Sequence, residues 1–102
     1  MIRGKNKIFL VKVCYTFKNR LLGNCFKKEI TDILCFPRCN SIHTFFMKTN
    51  IDVIMLDRRK RITHIFSNVK PWRIILPKKK VYYVLELPSG ENIYKVNDIL
   101  KI

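Results

Sequence analysis

Acidic residues are scarce in this chain: seven Asp and Glu stand against 21 Lys and Arg in 102 residues, a formal net charge of +14. Such an imbalance favours polyanions, nucleic acid or an acidic membrane surface, as partners. It also has a purely compositional source, because heavy use of Lys, Ile and Asn is what an A/T-rich genome encodes whatever the protein does. Glycine is scarce too, at three residues, which leaves little capacity for a glycine loop that cradles phosphate; a G-x-S-x-G nucleophile elbow is also missing. No apolar run approaches the ~20 residues of a membrane-spanning helix. Arg3, Lys5 and Lys7 precede the apolar stretch Ile8 to Val11 as in a signal peptide, but Lys12 interrupts the stretch and no small-residue cleavage site follows. The four cysteines, at 14, 25, 35 and 39, are not needed as staples in a domain this long. Reduced thiols in a cytoplasmic protein are therefore the expectation.

What the chain does have is a succession of short β-branched and aromatic stretches, together 48% hydrophobic. One domain over 1–102 is expected, with residues 1–6 as a frayed end. Strands are predicted at 8–15, 32–36, 42–47, 51–57, 61–67, 72–76, 81–87 and 99–102, separated by turns rich in Pro, Asn, Asp, Ser and Lys. Pro37 must end its strand or lie at an edge, since it donates no ladder hydrogen bond. One short helix is predicted over 17–22, capped by Thr16 and stopped by Gly23; 24–31 reads as a loop. Many short strands with one short helix define an all-β fold, a jelly-roll-like β-sandwich or a partly closed barrel.

If each connection reverses direction, the turn holding Arg58, Arg59, Lys60 and Arg61 shares one end of the sheet with the turn holding Lys78, Lys79 and Lys80. Seven cations then make a basic rim. Such a rim suits phosphate, and it equally suits hairpin tips that charge keeps soluble and unable to pair edge to edge.

Blocks HTFFM at 43–47, IDVIMLD at 51–57, KPWRI at 70–74, VLELPSG at 84–90 and ND at 97–98 occur in this order with short spacings. In this the chain resembles the bacterial and archaeal family called domain of unknown function 192, over about residues 16–102. Leu22 to Phe26 corresponds to the family's Gly-Leu-Met-Phe-Arg type motif but keeps only its Gly and its Phe. Asn97-Asp98 stands for the family's Gly-Asp, and Asn still tolerates a left-handed turn. The resemblance implies a β-sandwich of jelly-roll type with one short helix. It implies no activity, and the fold alone supplies none.

Cys35, Cys39 and His43 recur at intervals of four, as ligands of a zinc site might. Four residues of extended strand span about 13 Å, while ligand atoms around one zinc lie within about 4 Å of each other. No metal site and no cofactor are therefore expected, and the same distance opposes a Cys39–His43 nucleophilic dyad. Asp52 and Glu86 are the notable acids, each set among apolar neighbours in a predicted strand, where a carboxylate needs a cation or several donors. Arg20, Arg73 and His43 are the candidate partners. One reading makes Arg20, Asp52, Glu86 and Arg73 an ion-paired scaffold; another makes His43, Thr44, Phe46, Asp52, Trp72 and Arg73 the lining of a polar pocket. The expected function is a binding module, without catalysis, for a small polar ligand or a protein partner. A nucleic-acid-binding module using the basic rim, with aromatic residues interleaved among the cations, is the first alternative. A hydrolase or transferase acting through Asp52, Glu86 or His43 is the second. Of the adjacent Tyr82 and Tyr83, one ring is expected on each face of the sheet.

Overall fold

Strand β6 (Ile51–Leu56) is the centre of the molecule: all six of its residues are buried, as expected for a run of β-branched and aliphatic side chains interrupted only by Asp52. The computed structural model describes residues 2–5, 8–14 and 33–102. The predicted helix at 17–22, the loop at 24–31 and Arg20 lie outside the described residues. In chain order the other strands are β1 (Ile2–Arg3), β2 (Ile8–Phe9), β3 (Val11–Val13), β4 (Ile33–Pro37), β5 (Ile42–His43), β7 (Ile62–Val69), β8 (Ile74–Ile75) and β9 (Tyr83–Pro88).

They form one five-stranded sheet, ordered β3-β4-β9-β6-β7, and two small pairs, β1-β2 and β5-β8. The fold is thus all-β and sandwich-like. Three separate sheets do not close into a barrel. Within the large sheet the pairs β4-β9, β9-β6 and β6-β7 are antiparallel, while β3 and β4 are parallel.

Both faces of the large sheet are covered, and period-two alternation sorts its residues between them. On one face Ile54, Leu56, Leu85, Leu87, Ile33 and Cys35 pack under Ile2, Phe9 and Leu100. On the other, Val53, Met55, Val84, Leu34 and Phe36 pack under Met47, Ile75 and Val81 beside the β5-β8 pair. Each fully buried Ile, Leu or Val contributes about 1.5–3 kcal/mol of hydrophobic stabilisation.

The predicted strands at 51–57 and 81–87 match β6 and β9 closely, and Pro37 is the last residue of β4. Four expectations need correction. Residues 8–15 do not make one strand: the chain breaks at the exposed Leu10, so β2 and β3 join different sheets. The N-terminal stretch is not frayed throughout, because Ile2 pairs with Phe9 and is buried. The strands predicted at 42–47 and 72–76 shrink to two residues each, since Phe46 (φ 63°) and Trp72 (φ 64°) are left-handed and cannot continue an extended chain. The strand predicted at 99–102 is reduced to one bridge between Arg61 and Ile99, though Leu100 is buried as an anchor.

The shortage of glycine leaves a visible mark. Seven described non-glycine residues are left-handed, Arg38, Phe46, Lys60, Asn68, Trp72, Lys80 and Asn97, against Gly90 alone among the described glycines. Each of the large side chains carries a backbone cost of about 1–2 kcal/mol. Asn97, at φ 81°, makes the turn expected of it.

Candidate functional site

The candidate site residues divide between the two ends of β6. At its C-terminal end, Leu56 pairs with Tyr83, and the Tyr82 N–H donates to the Leu56 carbonyl at 2.7 Å. The Arg58–Arg61 turn and the segment containing Lys80 therefore meet there. The Asp57 carboxylate Oδ1 accepts the N–H groups of Arg59 (2.8 Å) and Arg61 (3.0 Å), which shapes the turn and leaves Arg58 and Arg59 directed into solvent. Tyr82 lies in the middle. Its ring has the Arg58 guanidinium 5.1 Å from its centroid, a cation–π arrangement. Its hydroxyl accepts from Arg38 Nε at 3.3 Å, which pushes the Arg38 pKa upward from its ordinary value.

Two clefts flank this tyrosine. One, of about 430 Å³, is lined by Asp57, Arg58, Arg59, Lys80, Val81 and Tyr82. The other, of about 660 Å³, has Arg38, Lys60, Tyr82 and Tyr83 in its wall together with Cys14 and Cys35. Burial, reinforced by the neighbouring Cys14 and opposed by Lys60, pushes the Cys35 thiol up to about 11. Lys60 also donates from Nζ to the Ile102 carbonyl, and the Lys78 N–H to the Asn40 carbonyl. Lys79 is exposed. Tyr82 and Tyr83 do not divide between the two faces: their rings meet edge to face at 4.8 Å, because Tyr82 precedes β9.

At the N-terminal end of β6, Ile51 pairs with both Val69 and Pro88. Asp52, 3% exposed, is held by backbone. Its Oδ1 accepts the Asn68 N–H at 2.8 Å, and its Oδ2 accepts the N–H groups of Gly90 (3.0 Å) and Asn92 (3.3 Å). Gly90 presents that N–H from a left-handed conformation, φ 84°, in which a side chain would be strained. Asp52 thus ties the end of β7 to the turn after β9 through several peptide donors, one of the two kinds of partner expected for it. Arg73 is exposed, its guanidinium 3.5 Å from the Pro71 carbonyl. Glu86 pairs in register with Val53, whereas Asp52 pairs with Leu87. The two carboxylates consequently occupy opposite faces of the sheet and form no acid–base pair.

His43, Thr44, Phe46, Trp72 and Arg73 do come together, without Asp52. Thr44 is their hub. Its hydroxyl donates to the Lys70 carbonyl (2.7 Å) and accepts the Arg73 N–H (2.8 Å). Its N–H donates to the Arg73 carbonyl (2.8 Å), and its carbonyl accepts from Trp72 (2.9 Å) and Met47 (3.2 Å). The turn 44–47 is thereby bound to the turn 70–73. His43 Nδ1 accepts the Phe45 N–H at 3.2 Å. Ring contacts then run from His43 to Phe45 (5.1 Å), Phe45 to Trp72 (5.8 Å) and Trp72 to Phe46 (4.8 Å). Phe46 and Trp72 remain 51% and 57% exposed, so this is a surface and not an enclosed pocket.

Cys35, Cys39 and His43 do not converge. Cys35 belongs to one core cluster, Cys39 packs against the other with its thiol toward the Ser41 carbonyl (3.0 Å), and His43 points outward.

Architecture and site define a class: a small β-sandwich-like module with a cationic end, an aromatic surface and a buried backbone-anchored aspartate. Comparison with known proteins gives it a family. The chain belongs to the family domain of unknown function 192, described as "Uncharacterized ACR", whose model matches residues 1–95. A UPF0127 protein of Thermococcus kodakarensis is 41% identical over 86% of this chain and 59% of its own length. A UPF0127 protein of Pyrococcus horikoshii is likewise 41% identical, over 78% of this chain and 73% of its own. The chain therefore spans little more than half of the first relative and about three quarters of the second. Two crystal structures share the fold. One, a Novosphingobium aromaticivorans protein of unknown function, matches 86% of this chain and 70% of its own with a TM-score of 0.71 at 18% identity. The other, a Sinorhizobium meliloti protein provisionally described as a transcription regulator, matches 80% and 70% with a TM-score of 0.70 at 20% identity. No described helix is long and apolar enough to cross a membrane.

Proposed function

We propose that this protein is a binding module that takes the phosphate backbone of a nucleic acid at its cationic end. The observation that carries the reading is the meeting of Arg58, Arg59, Lys80, Arg38 and Lys60 around Tyr82, in two adjoining clefts. The acidic side chains strengthen it. Of the five described carboxylates, Asp52, Glu86 and Glu91 are buried, while Asp57 and Asp98 accept backbone N–H bonds in their own turns. Asp57 is the one side-chain carboxylate among the described residues lining these clefts, so cations outnumber it there, and a polyanion gains both attraction and released counterions. The description of the Sinorhizobium relative in fold as a transcription regulator agrees with this reading. A cytoplasmic setting belongs to the proposal, in keeping with the free thiols of Cys35 and Cys39.

The test is the affinity of a labelled oligonucleotide, followed by fluorescence anisotropy between 50 and 200 mM salt, roughly the range over which phosphate contacts weaken steeply. With three to five phosphates engaged, affinity should fall by about tenfold or more. Affinity indifferent to salt would end the proposal. The small polar ligand expected around His43 and Asp52 has weaker support, because Asp52 is turned away from His43 and engaged by three peptide N–H groups.

A further inference from the structure

The outer side of the β5-β8 pair is unlike any other described surface of the molecule. His43 pairs with Ile74 and Ile42 with Ile75. Because cross-strand partners share a face, Ile42 and Ile75 turn inward onto the core while His43 and Ile74 turn outward. Ile74 is 59% exposed and Leu76 66% exposed. With Phe46 and Trp72, themselves exposed and in ring contact, they make up an apolar stripe along this segment. Its two aromatic members are fixed in left-handed backbone conformations by the bonds around Thr44, so the fold spends stability on presenting these rings to solvent.

Cations stand at both ends of the stripe: Lys48, Lys70 and Arg73 are exposed beside the aromatic rings, and Lys79 and Lys80 are exposed beyond Leu76. None of the five described carboxylates stands on it, since three are buried and two are engaged in the turns at 57–61 and 95–98. A second copy of this chain, carrying the same charge of +14, would meet repulsion here. An aromatic and aliphatic platform bordered by cations suits unpaired bases, whose flat faces stack on the rings while their phosphates meet Lys and Arg. Residues 72–76 carry three of the stripe's four exposed apolar side chains, a short span of the kind that takes only a few nucleotides in known single-strand sites. At its far end the stripe reaches the Lys78–Lys80 turn of the cationic end.

We infer that the outer face of β5-β8 binds single-stranded nucleic acid, with unpaired bases stacked on Trp72 and Phe46 and the backbone continuing toward Lys79 and Lys80. This rests on the reading of the cationic end as a phosphate site and adds that the preferred form is unpaired. Trp72 is the sole tryptophan, so its fluorescence reports this surface directly.

The experiment titrates the protein with a twelve-nucleotide oligo-dT and with a hairpin duplex of equal phosphate content. Trp72 emission is read alongside anisotropy of labelled strands, and poly-glutamate serves as an acidic peptide control. The inference expects oligo-dT to quench Trp72 and to bind at least fivefold more tightly than the duplex. Phe46→Gly, which keeps the left-handed backbone, should lower oligo-dT affinity at least fivefold and duplex affinity by less than twofold, with its circular dichroism spectrum unchanged. Equal binding of both forms without quenching would overturn the inference and leave the cationic end standing. Binding of neither would overturn both readings. Quenching by poly-glutamate alone would overturn it in favour of an acidic protein partner.

Discussion

At one end of β6 a carboxylate is buried and satisfied by three peptide N–H groups; at the other, an exposed turn is shaped by a carboxylate while the cations around it face solvent. Asp52 and Asp57 are thus both structural, yet they leave opposite surroundings. Asp52 draws polar backbone inward and closes its end of the sandwich. Asp57 uses its Oδ1 hydrogen bonds on its own turn and leaves the side chains of Arg58 and Arg59 exposed. The difference teaches that a residue's chemical type is a poor guide to function until its partners are known: the more conspicuous acid in the sequence is the strut, and the less conspicuous one shapes the turn that presents the cations.

The largest effect that would break this contrast is at Asp52. Asp52→Asn presents an amide N–H₂ where peptide donors now point, and hydrogen bonds to a charged group are worth about 1.5–3 kcal/mol. Loss of about 3 kcal/mol is expected, visible as a fall in melting temperature of about 12–24 °C, with no loss of oligonucleotide affinity by the folded protein. A smaller effect is expected at Thr44. Thr44→Val keeps the shape but leaves the Arg73 N–H and the Lys70 carbonyl without their hydroxyl partner. That should cost about 1–3 kcal/mol and shift Trp72 emission, whereas a melting curve and emission like those of the wild type would remove Thr44 as the hub. Smallest is the pH response of Cys35. Its pKa is raised in the fold from 9.0 to about 11 by burial, so the folded state holds the proton more tightly than the unfolded state. Stability from this source is whole below pH 9 and declines as pH rises toward 11. Denaturant titrations should show a smaller decline over that window for Cys35→Val than for the wild type, and equal declines would refute the assignment.

Much of the sheet was legible in the sequence because β6 and β9 carry dense β-branched and aliphatic runs bounded by clear turns. Lys80 does line a cleft with Arg58 and Arg59, although β8 lies in a separate sheet and strand parity alone does not account for it; the left-handed turn at Asn97 followed from its side chain. The rest failed for identifiable reasons. His43 to Met47 reads as one strand because Thr and Phe favour strands, but the hydrogen bonds at Thr44 fold it into a turn. Those made by its hydroxyl run to residues 26 to 29 positions away, beyond any local pattern. Which donors hold Asp52 was equally hidden, since a peptide N–H has no side-chain signature. The break at Leu10 had no local signal either, for a Leu between Phe9 and Val11 looks like continuous strand.

Binding at the cationic end is tested most directly by Arg58→Ala/Arg59→Ala/Lys80→Ala, measured as the dependence of oligonucleotide affinity on salt. These side chains reach toward solvent from their turns, so the melting temperature should hold. The slope of log affinity against log salt should become shallower by about 2, at about 0.7–0.9 for each phosphate no longer neutralised. An unchanged slope and affinity in the folded variant would contradict the account.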